Sequence, residues 1–278
     1  MSIFLFWQNY IFKHKRYIML RMKSQKGIAH IGALLVVIVI VIIGAAGYAV
    51  SKAGDKNNKS NTGSNADTKD SGKIKSIGIN LDYYNPDTGM AGDVQFVRDK
   101  FKSDMDLIFS EYGFQIAANS AAAARRNPQP TFIVPLGTKI RSLVDGEVVN
   151  IPKLYSNDYS VHVQPKGSSL IFETEHVKNV KVKVGDKVNA GQEIAEASDY
   201  DARNYAGLGL YEIGVLSPGN PPKHTCTFDY LDDSIREDIL AKITALKKSW
   251  EEFRGNPNLY DESMVVIPGC LTRDPIEG

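Results

Sequence analysis

The most regular pattern of hydrophobic and polar residues lies between Pro135 and Val215. At 180–184, three valines alternate with two lysines, the pattern of a β-strand that buries one face. Turn-forming pairs follow at Gly185-Asp186 and Ala190-Gly191, so the strands around them must be very short. The pattern predicts a small, tightly turned β-barrel or β-sandwich.

Two further segments place apolar residues at the spacing of one helix face. The first is 94–112 and the second is 232–254. In the second, Asp232 or Asp233 can cap the start of the helix, and Gly255 can end it. We therefore predict a mainly β fold with flanking helices, of the α+β class.

The first 50 residues have the pattern of a membrane anchor. Residues 1–26 are basic, and Gly27–Val50 contain no charged residue. A helix of that length spans roughly 36 Å, enough for a hydrocarbon core of about 30 Å. The positive charges before it predict a single-pass protein of the cell membrane with a cytoplasmic N-terminus. A cleaved signal peptide, with Ala45-Ala46-Gly47 as its cleavage site, is the alternative.

Composition divides the rest of the chain into a linker and a domain. Residues 51–73 are rich in Asn, Lys, Ser, Gly and Asp and have no aromatic residue, which predicts a disordered tether. Residues 74–278 then form an extracytoplasmic domain, where Cys226 and Cys270 can form a disulfide. The formal net charge of +1 gives no electrostatic support for a nucleic-acid partner.

Five landmarks follow one another within residues 127–215. They are Gly137-Thr138, Asp145-Gly146, His176, the hairpin at 184–194, and Tyr211-Glu212-Ile213. In this order they resemble the M23 peptidases, the LytM-like zinc endopeptidases of the bacterial cell wall. The resemblance implies a barrel of the duplicated hybrid-motif type, whose hairpin also occurs in biotinyl and lipoyl carrier domains.

The departures from the family concern its zinc site. The family binds zinc through a His-x-x-x-Asp pair and the last His of a His-x-His. Here the matched positions hold Asn127 and Thr131, and Leu208-Gly209-Leu210, none of which supplies a zinc ligand. Only His176 is retained, matching a family histidine that assists the chemistry without holding the metal. The resemblance therefore implies a scaffold that has lost its catalytic metal, and we expect no catalytic residue, no metal and no cofactor.

We accordingly predict a non-enzymatic module of the cell envelope. Its partner would be peptidoglycan or a cell-wall hydrolase, held in the family's groove without cleavage. The candidate binding residues are His176, Tyr205, Tyr211 and Glu212.

Two alternatives remain open. A divergent zinc metallopeptidase acting on peptidoglycan would need ligands from other positions, namely His162, Glu173, Glu175, His176 and His224. Against it, strand alternation predicts that the two glutamates face one side of the sheet and the following histidine faces the other. The second alternative is an adaptor that assembles an export complex, although the chain has none of the long heptad patterns that such proteins use.

Overall fold

The computed structural model describes residues 72–101, 106–116, 125–200 and 206–278, which belong to one compact unit of the chain. The basic N-terminus, the predicted span Gly27–Val50 and nearly all of the predicted linker lie outside the described residues. Within the described ranges, no helix is long and apolar enough to cross a membrane.

The described residues form a mainly β structure with a single α-helix, which confirms the predicted predominance of β-structure. The strands are β1 (Met90–Ala91), β2 (Val94–Gln95), β3 (Phe109–Ser110), β4 (Thr131–Pro135), β5 (Lys139–Arg141), β6 (Gly146–Asn150), β7 (Tyr159–Gln164), β8 (Ile171–Lys178), β9 (Lys187–Val188), β10 (Glu193–Ala197), β11 (Leu208–Ser217), β12 (Lys223–His224) and β13 (Ile276–Glu277). The helix α1 is Asp233–Arg254, and two 3₁₀ turns lie at Thr227–Tyr230 and Glu262–Met264.

Eleven of these strands form one antiparallel sheet, while β1 and β2 pair only with each other. The sheet runs in the order β13-β12-β11-β8-β7-β6-β9, and β4, β3, β10 and β5 join it as branches. The two longest strands, β8 and β11, lie side by side at its centre. Residues on these two strands therefore have neighbours on both sides, which fixes their position.

Alternation along the central strands separates the core from the opposite face. On β11, Tyr211, Ile213 and Val215 are fully buried, and Phe132 on β4 and Phe172 on β8 pack into the same core. The residues between them point to the other face of the sheet. That face carries Glu212 and its polar neighbours.

The helix α1 begins and ends at the predicted residues. The Asp232 carboxylate accepts a hydrogen bond from the backbone N–H of Ser234, satisfying a donor that the first turn leaves free. Gly255 adopts the left-handed conformation with φ 69°, which closes the last turn.

One face of α1 packs on the N-terminal part of the described chain. Trp250 is fully buried, and its ring contacts the rings of Phe96 and Phe101 with centroid distances of 5.3 and 4.8 Å. One turn earlier, the buried Lys247 ammonium lies 2.7 Å from Oε1 of Glu111. The helix stripe is therefore core, as its spacing predicted, with one buried ion pair within it.

The second predicted helix, 94–112, is wrong for the described residues of that segment. Val94–Gln95 form β2 and Phe109–Ser110 form β3, with Phe109 opposite Phe132 of β4. Among the described apolar residues of this segment, Val94, Phe101, Leu107, Ile108 and Phe109 are buried in the core. Pairing with distant strands offers the backbone hydrogen bonds that a short helix would otherwise supply, so tertiary context overrides the local spacing.

The strand predicted at 180–184 is also wrong. This segment is not paired as a strand, although Lys181 N–H donates to the Ile194 carbonyl at 2.8 Å. Val184 is 58% exposed, so its side chain does not contribute to a buried face. The predicted turns do occur, because Gly185 and Gly191 have φ angles of 91° and 81°, which glycine adopts without steric cost.

The predicted disulfide is confirmed. Cys226 and Cys270 are joined, and both are buried. Cys226 lies between β12 and the first 3₁₀ turn, and Cys270 lies beyond α1. The bond therefore fastens the segment that follows the helix to the edge of the sheet.

We expect reduction of this disulfide to lower the free energy of unfolding by about 4 kcal/mol, because the bond closes a loop with a sequence separation of 44 residues. Urea unfolding of the full-length chain with and without dithiothreitol measures the difference. A double Cys226→Ser, Cys270→Ser variant is the control and should not respond to dithiothreitol. An equal response in the variant and the wild type would contradict the prediction.

Candidate functional site

The candidate site lies on the outer face of the central strands and is built from two adjacent rows of residues. In the first row, Glu212 of β11 pairs with Thr131 of β4 on one side and with Glu175 of β8 on the other. The second row lies one step along the same strands. We call the set formed by these rows the Glu–His face: His162, Glu173, Glu175, His176 and Glu212.

The second row centres on a buried carboxylate. Glu173 lies between Gly214 of β11 and His162 of β7. A Cβ atom at position 214 would lie 2.4 Å from Oε1 of Glu173, so the glycine leaves the space that this carboxylate occupies. Glu173 contacts Nε2 of His162 at 3.3 Å, Nε2 of His224, and Nε2 of Gln129 at 3.0 Å.

These partners stabilise Glu173 in its ionised form. Burial alone would raise the pKa of this carboxyl, but the hydrogen bonds and charges of His162 and His224 outweigh it and lower the pKa. Both carboxylate oxygens are therefore occupied by donors. The arrangement joins β7, β8 and β12 beneath the surface.

His176 reaches the Glu–His face through an unusual backbone conformation. Its φ is 56°, in the left-handed region that a non-glycine residue seldom adopts. The conformation interrupts the alternation of β8, so His176 lies beside Glu175 and Glu212, with its Nε2 3.6 Å from Oε2 of Glu212. The prediction that Glu175 and His176 face opposite sides of the strand is therefore wrong.

A buried aspartate holds the other nitrogen of this ring. Nδ1 of His176 lies 3.0 Å from Oδ2 of Asp158. The same oxygen accepts a hydrogen bond from the Ser198 hydroxyl, and Oδ1 accepts one from the Ser156 hydroxyl. Burial alone would raise the pKa of Asp158, but these hydrogen bonds lower it. Because the ionised carboxylate only accepts, Nδ1 must carry the proton. The ring of Tyr200 stacks on the imidazole with a centroid distance of 3.9 Å.

The pKa values of the first row are shifted towards the protonated forms. Burial raises the pKa of Glu212 from 4.5 to about 7, helped by the charge of Glu175 and opposed by that of His176. Burial and the charge of Glu173 raise the pKa of Glu175. Burial would lower the pKa of His176, but Asp158 and the neighbouring glutamates raise it. Burial is therefore the main cause of the two glutamate shifts, and the neighbouring carboxylates cause that of His176.

The residues at the family's zinc-ligand positions do not fit a zinc ion. Nδ2 of Asn127 lies 3.3 Å from Oγ1 of Thr131, which in turn lies 3.2 Å from Oε1 of Glu212. Leu210 pairs with Ile133 and offers only an apolar side chain. Neutral amide, hydroxyl and alkyl groups replace the imidazole and carboxylate ligands that zinc requires.

Of the four residues predicted to bind a ligand, the structure brings two together. His176 and Glu212 are neighbours on the Glu–His face. Tyr211 is wrong as a groove residue, because it is fully buried on the core side and its hydroxyl donates to the Ile77 carbonyl. The alternation of β11 puts residues 211 and 212 on opposite faces. Tyr205 lies outside the described residues.

The sequence-based analysis missed Asp158 and Tyr200. Asp158 orients the central imidazole and Tyr200 covers it, yet both lie between or beyond strands, where no periodic pattern marks them. The five residues considered as relocated ligands do come close together. His162, Glu173 and Glu175 form one group, Glu175 and His176 form a second group with Glu212, and His224 contacts Glu173. Spacing could not have predicted this, because strand pairing and the conformation of His176 create it.

The comparisons with known proteins agree with this description. Residues 130–212 match the profile of "Peptidase family M23", so this part of the chain is M23 peptidase-like. The predicted family resemblance is confirmed for this part of the chain. No curated protein matches the chain.

Several solved structures are similar over part of the chain. The catalytic domain of lysostaphin from Staphylococcus simulans is 18% identical over 40% of this chain and 82% of its own, with a TM-score of 0.33. LytU is 21% identical over 50% of this chain and 94% of its own, with a TM-score of 0.36. The catalytic domain of the prophage-encoded M23 protein EnpA from Enterococcus faecalis is 20% identical over 42% and 85%, with a TM-score of 0.33. Because these TM-scores are below 0.5, the family assignment rests on the profile.

We expect the free energy of unfolding to fall as the pH rises from about 4.5 to 7, because the pKa of Glu212 is raised from 4.5 to about 7 in the folded state. A raised pKa favours the protonated form of the native state, so this contribution is complete below the unfolded pKa and is lost above the folded pKa. The loss is at most about 3 kcal/mol, since the side chain is partly exposed. Urea unfolding in the presence of a chelator, across this pH range, measures it.

A Glu212→Gln variant keeps the shape of the side chain and removes its titration, so its stability should depend less steeply on pH than that of the wild type. The raised pKa of His176 contributes a dependence in the same direction, and the variant keeps the part of it that Asp158 and Glu175 cause. Identical slopes for both proteins would show that Glu212 does not titrate in this range.

Proposed function

We propose that this chain is a membrane-anchored module of the bacterial cell envelope, whose M23-like domain binds peptidoglycan or a cell-wall hydrolase without cleaving it. The single observation that carries the proposal is the replacement of the family's zinc ligands on an otherwise retained scaffold. Asn127, Thr131 and Leu210 occupy those positions, and none can hold or activate a metal-bound water.

The Glu–His face supports a role in binding. The side chain of Glu212 is 18% exposed and that of His162 is 14% exposed, so a ligand reaches both from solvent. Carboxylates accept hydrogen bonds from the N–H and ammonium groups of peptides. Tyr155 is 86% exposed, and its hydroxyl lies 2.6 Å from that of Tyr200, the residue that covers His176. An exposed aromatic ring beside acceptors suits a peptide with an attached sugar.

The membrane anchor rests on the sequence. Gly27–Val50 is long and apolar enough to span a bilayer, and the basic residues before it favour a cytoplasmic N-terminus. The disulfide between Cys226 and Cys270 supports an oxidising compartment for the domain. The tether 51–73 would hold the domain within roughly 25 Å of the membrane.

We expect the full-length chain, solubilised in detergent, to sediment with purified peptidoglycan and to release no soluble fragments. A Tyr155→Ala variant should bind roughly three- to tenfold more weakly, because it loses an aromatic contact of about 1 kcal/mol. The matched control is Tyr83→Ala, which removes an exposed tyrosine distant from the Glu–His face in the sequence and should bind as the wild type does.

Release of fragments that stops on addition of a chelator would contradict the non-enzymatic proposal. A chain that neither sediments with peptidoglycan nor retains a cell-wall hydrolase in a direct pairwise assay would contradict the binding role.

The orientation in the membrane has its own test. A cysteine introduced in the tether, Ser64→Cys, should react with a membrane-impermeant maleimide on intact cells. A cysteine before the span, Ser24→Cys, should react only after lysis. The wild type, whose two cysteines form the disulfide, controls for background labelling. Equal labelling at both positions would exclude the proposed topology.

A divergent metallopeptidase is the second candidate function. The observation that favours it is the convergence of histidines and glutamates in two groups on the Glu–His face. Chelator-sensitive hydrolysis of peptidoglycan distinguishes it from the binding module.

A further inference from the structure

We propose that Glu175, His176 and Glu212 form a divalent-metal site, displaced from the positions that the family uses, and that zinc is the ion that fits it. One ligand atom from each residue lies within 4.8 Å of the others. The inference goes beyond the proposed function, because a ligand can bind the Glu–His face whether or not a metal is held there.

The orientation of the His176 ring gives the first argument. Asp158 accepts the Nδ1 proton, so Nε2 is the ring nitrogen that is left to bind a cation. Nε2 faces Oε2 of Glu212, with Glu175 beside it. A carboxylate that holds the other nitrogen is also the usual support of a metal-binding histidine.

The distance between the two atoms gives the second argument. Nε2 of His176 and Oε2 of Glu212 are 3.6 Å apart, which is longer than an N–H···O hydrogen bond. Zinc lies about 2.1 Å from nitrogen and oxygen ligands, so two ligand atoms across a tetrahedral ion are about 3.4 Å apart. The observed separation therefore suits two atoms that share an ion better than two that share a proton.

The balance of charge gives the third argument. In the described part of the chain, the ion-pair contact of Glu212 is with His176. The charges acting most strongly on Glu175 and Glu212 are those of neighbouring glutamates and histidines, with no lysine or arginine among them. A divalent cation would neutralise the two carboxylates that approach each other here.

The neighbouring group around Glu173 does not need a metal. Its carboxylate already receives contacts from His162, His224 and Gln129. Oxygens with three donors are satisfied by the protein alone. We therefore assign the metal to Glu175, His176 and Glu212 and not to the group around Glu173.

Three protein ligands would leave one position of a tetrahedral zinc ion free. Water or an oxygen of a bound peptide would occupy that position. The metal would then act as an anchor for a carboxylate or carbonyl group of whatever the Glu–His face binds.

The test is a titration of the metal-free, tag-free full-length chain in detergent with zinc, followed by calorimetry. We expect about one zinc per chain. Glu175→Gln and Glu212→Gln should each weaken zinc binding by at least about tenfold, since each removes a charged ligand. The matched control is Glu173→Gln, the same substitution on the same strand face, which should weaken binding clearly less. Thermal unfolding verifies that each variant folds.

Cobalt absorption gives a second readout. A tetrahedral Co²⁺ site with a nitrogen ligand should produce visible bands in the wild type that weaken in Glu212→Gln. No zinc binding by the wild type, unchanged binding in both ligand variants, or a larger loss in Glu173→Gln would overturn the assignment. Sedimentation with peptidoglycan in the presence of a chelator keeps the two proposals separate, because loss of the metal site alone leaves the binding function standing.

Discussion

The pairing of β8 with β11 is the constraint on which the rest of the structure depends. It places Glu175 beside Glu212 and Glu173 beside Gly214, so that the carboxylates of two strands crowd one face of the sheet. On the other face the same strands bury an apolar core. Like charges brought together in a partly buried space must be offset by protons, histidines or a cation. The surrounding groups follow from that need.

The histidines offset the charges of these crowded carboxylates in two different ways. Those around Glu173 act as donors to a single buried carboxylate and complete its hydrogen bonds. His176 is held by Asp158 on one side and turns its second nitrogen towards Glu212 and Glu175. In the first arrangement both oxygens of the Glu173 carboxylate already have donors, which suits a structural role. The second leaves carboxylates with capacity for a further partner, which is the feature expected of a binding site.

This arrangement differs from the zinc site of the M23 peptidases in the side chains at the ligand positions. At the family's ligand positions, Asn127 and Thr131 form a neutral chain of contacts that leads to Glu212. The histidine and carboxylate side chains of the site lie instead on β7, β8 and β11. One fold can keep its strands while the side chains of a site on it are exchanged.

The sequence by itself determined the predominance of β-structure, the family of residues 130–212, the disulfide and the limits of α1. These depend on local signals: turn residues, spacing of landmarks, two cysteines and helix caps. Tertiary structure decided the conformation of 94–112 and 180–184. Their local spacing of apolar residues predicted a helix in the first and a strand in the second, and the described residues of these segments do not form them. Tertiary structure also decided the site, because Asp158, Glu175 and His176 meet only through strand register and one left-handed residue. Local spacing cannot encode contacts between strands, since their energy arises only when the sheet is formed.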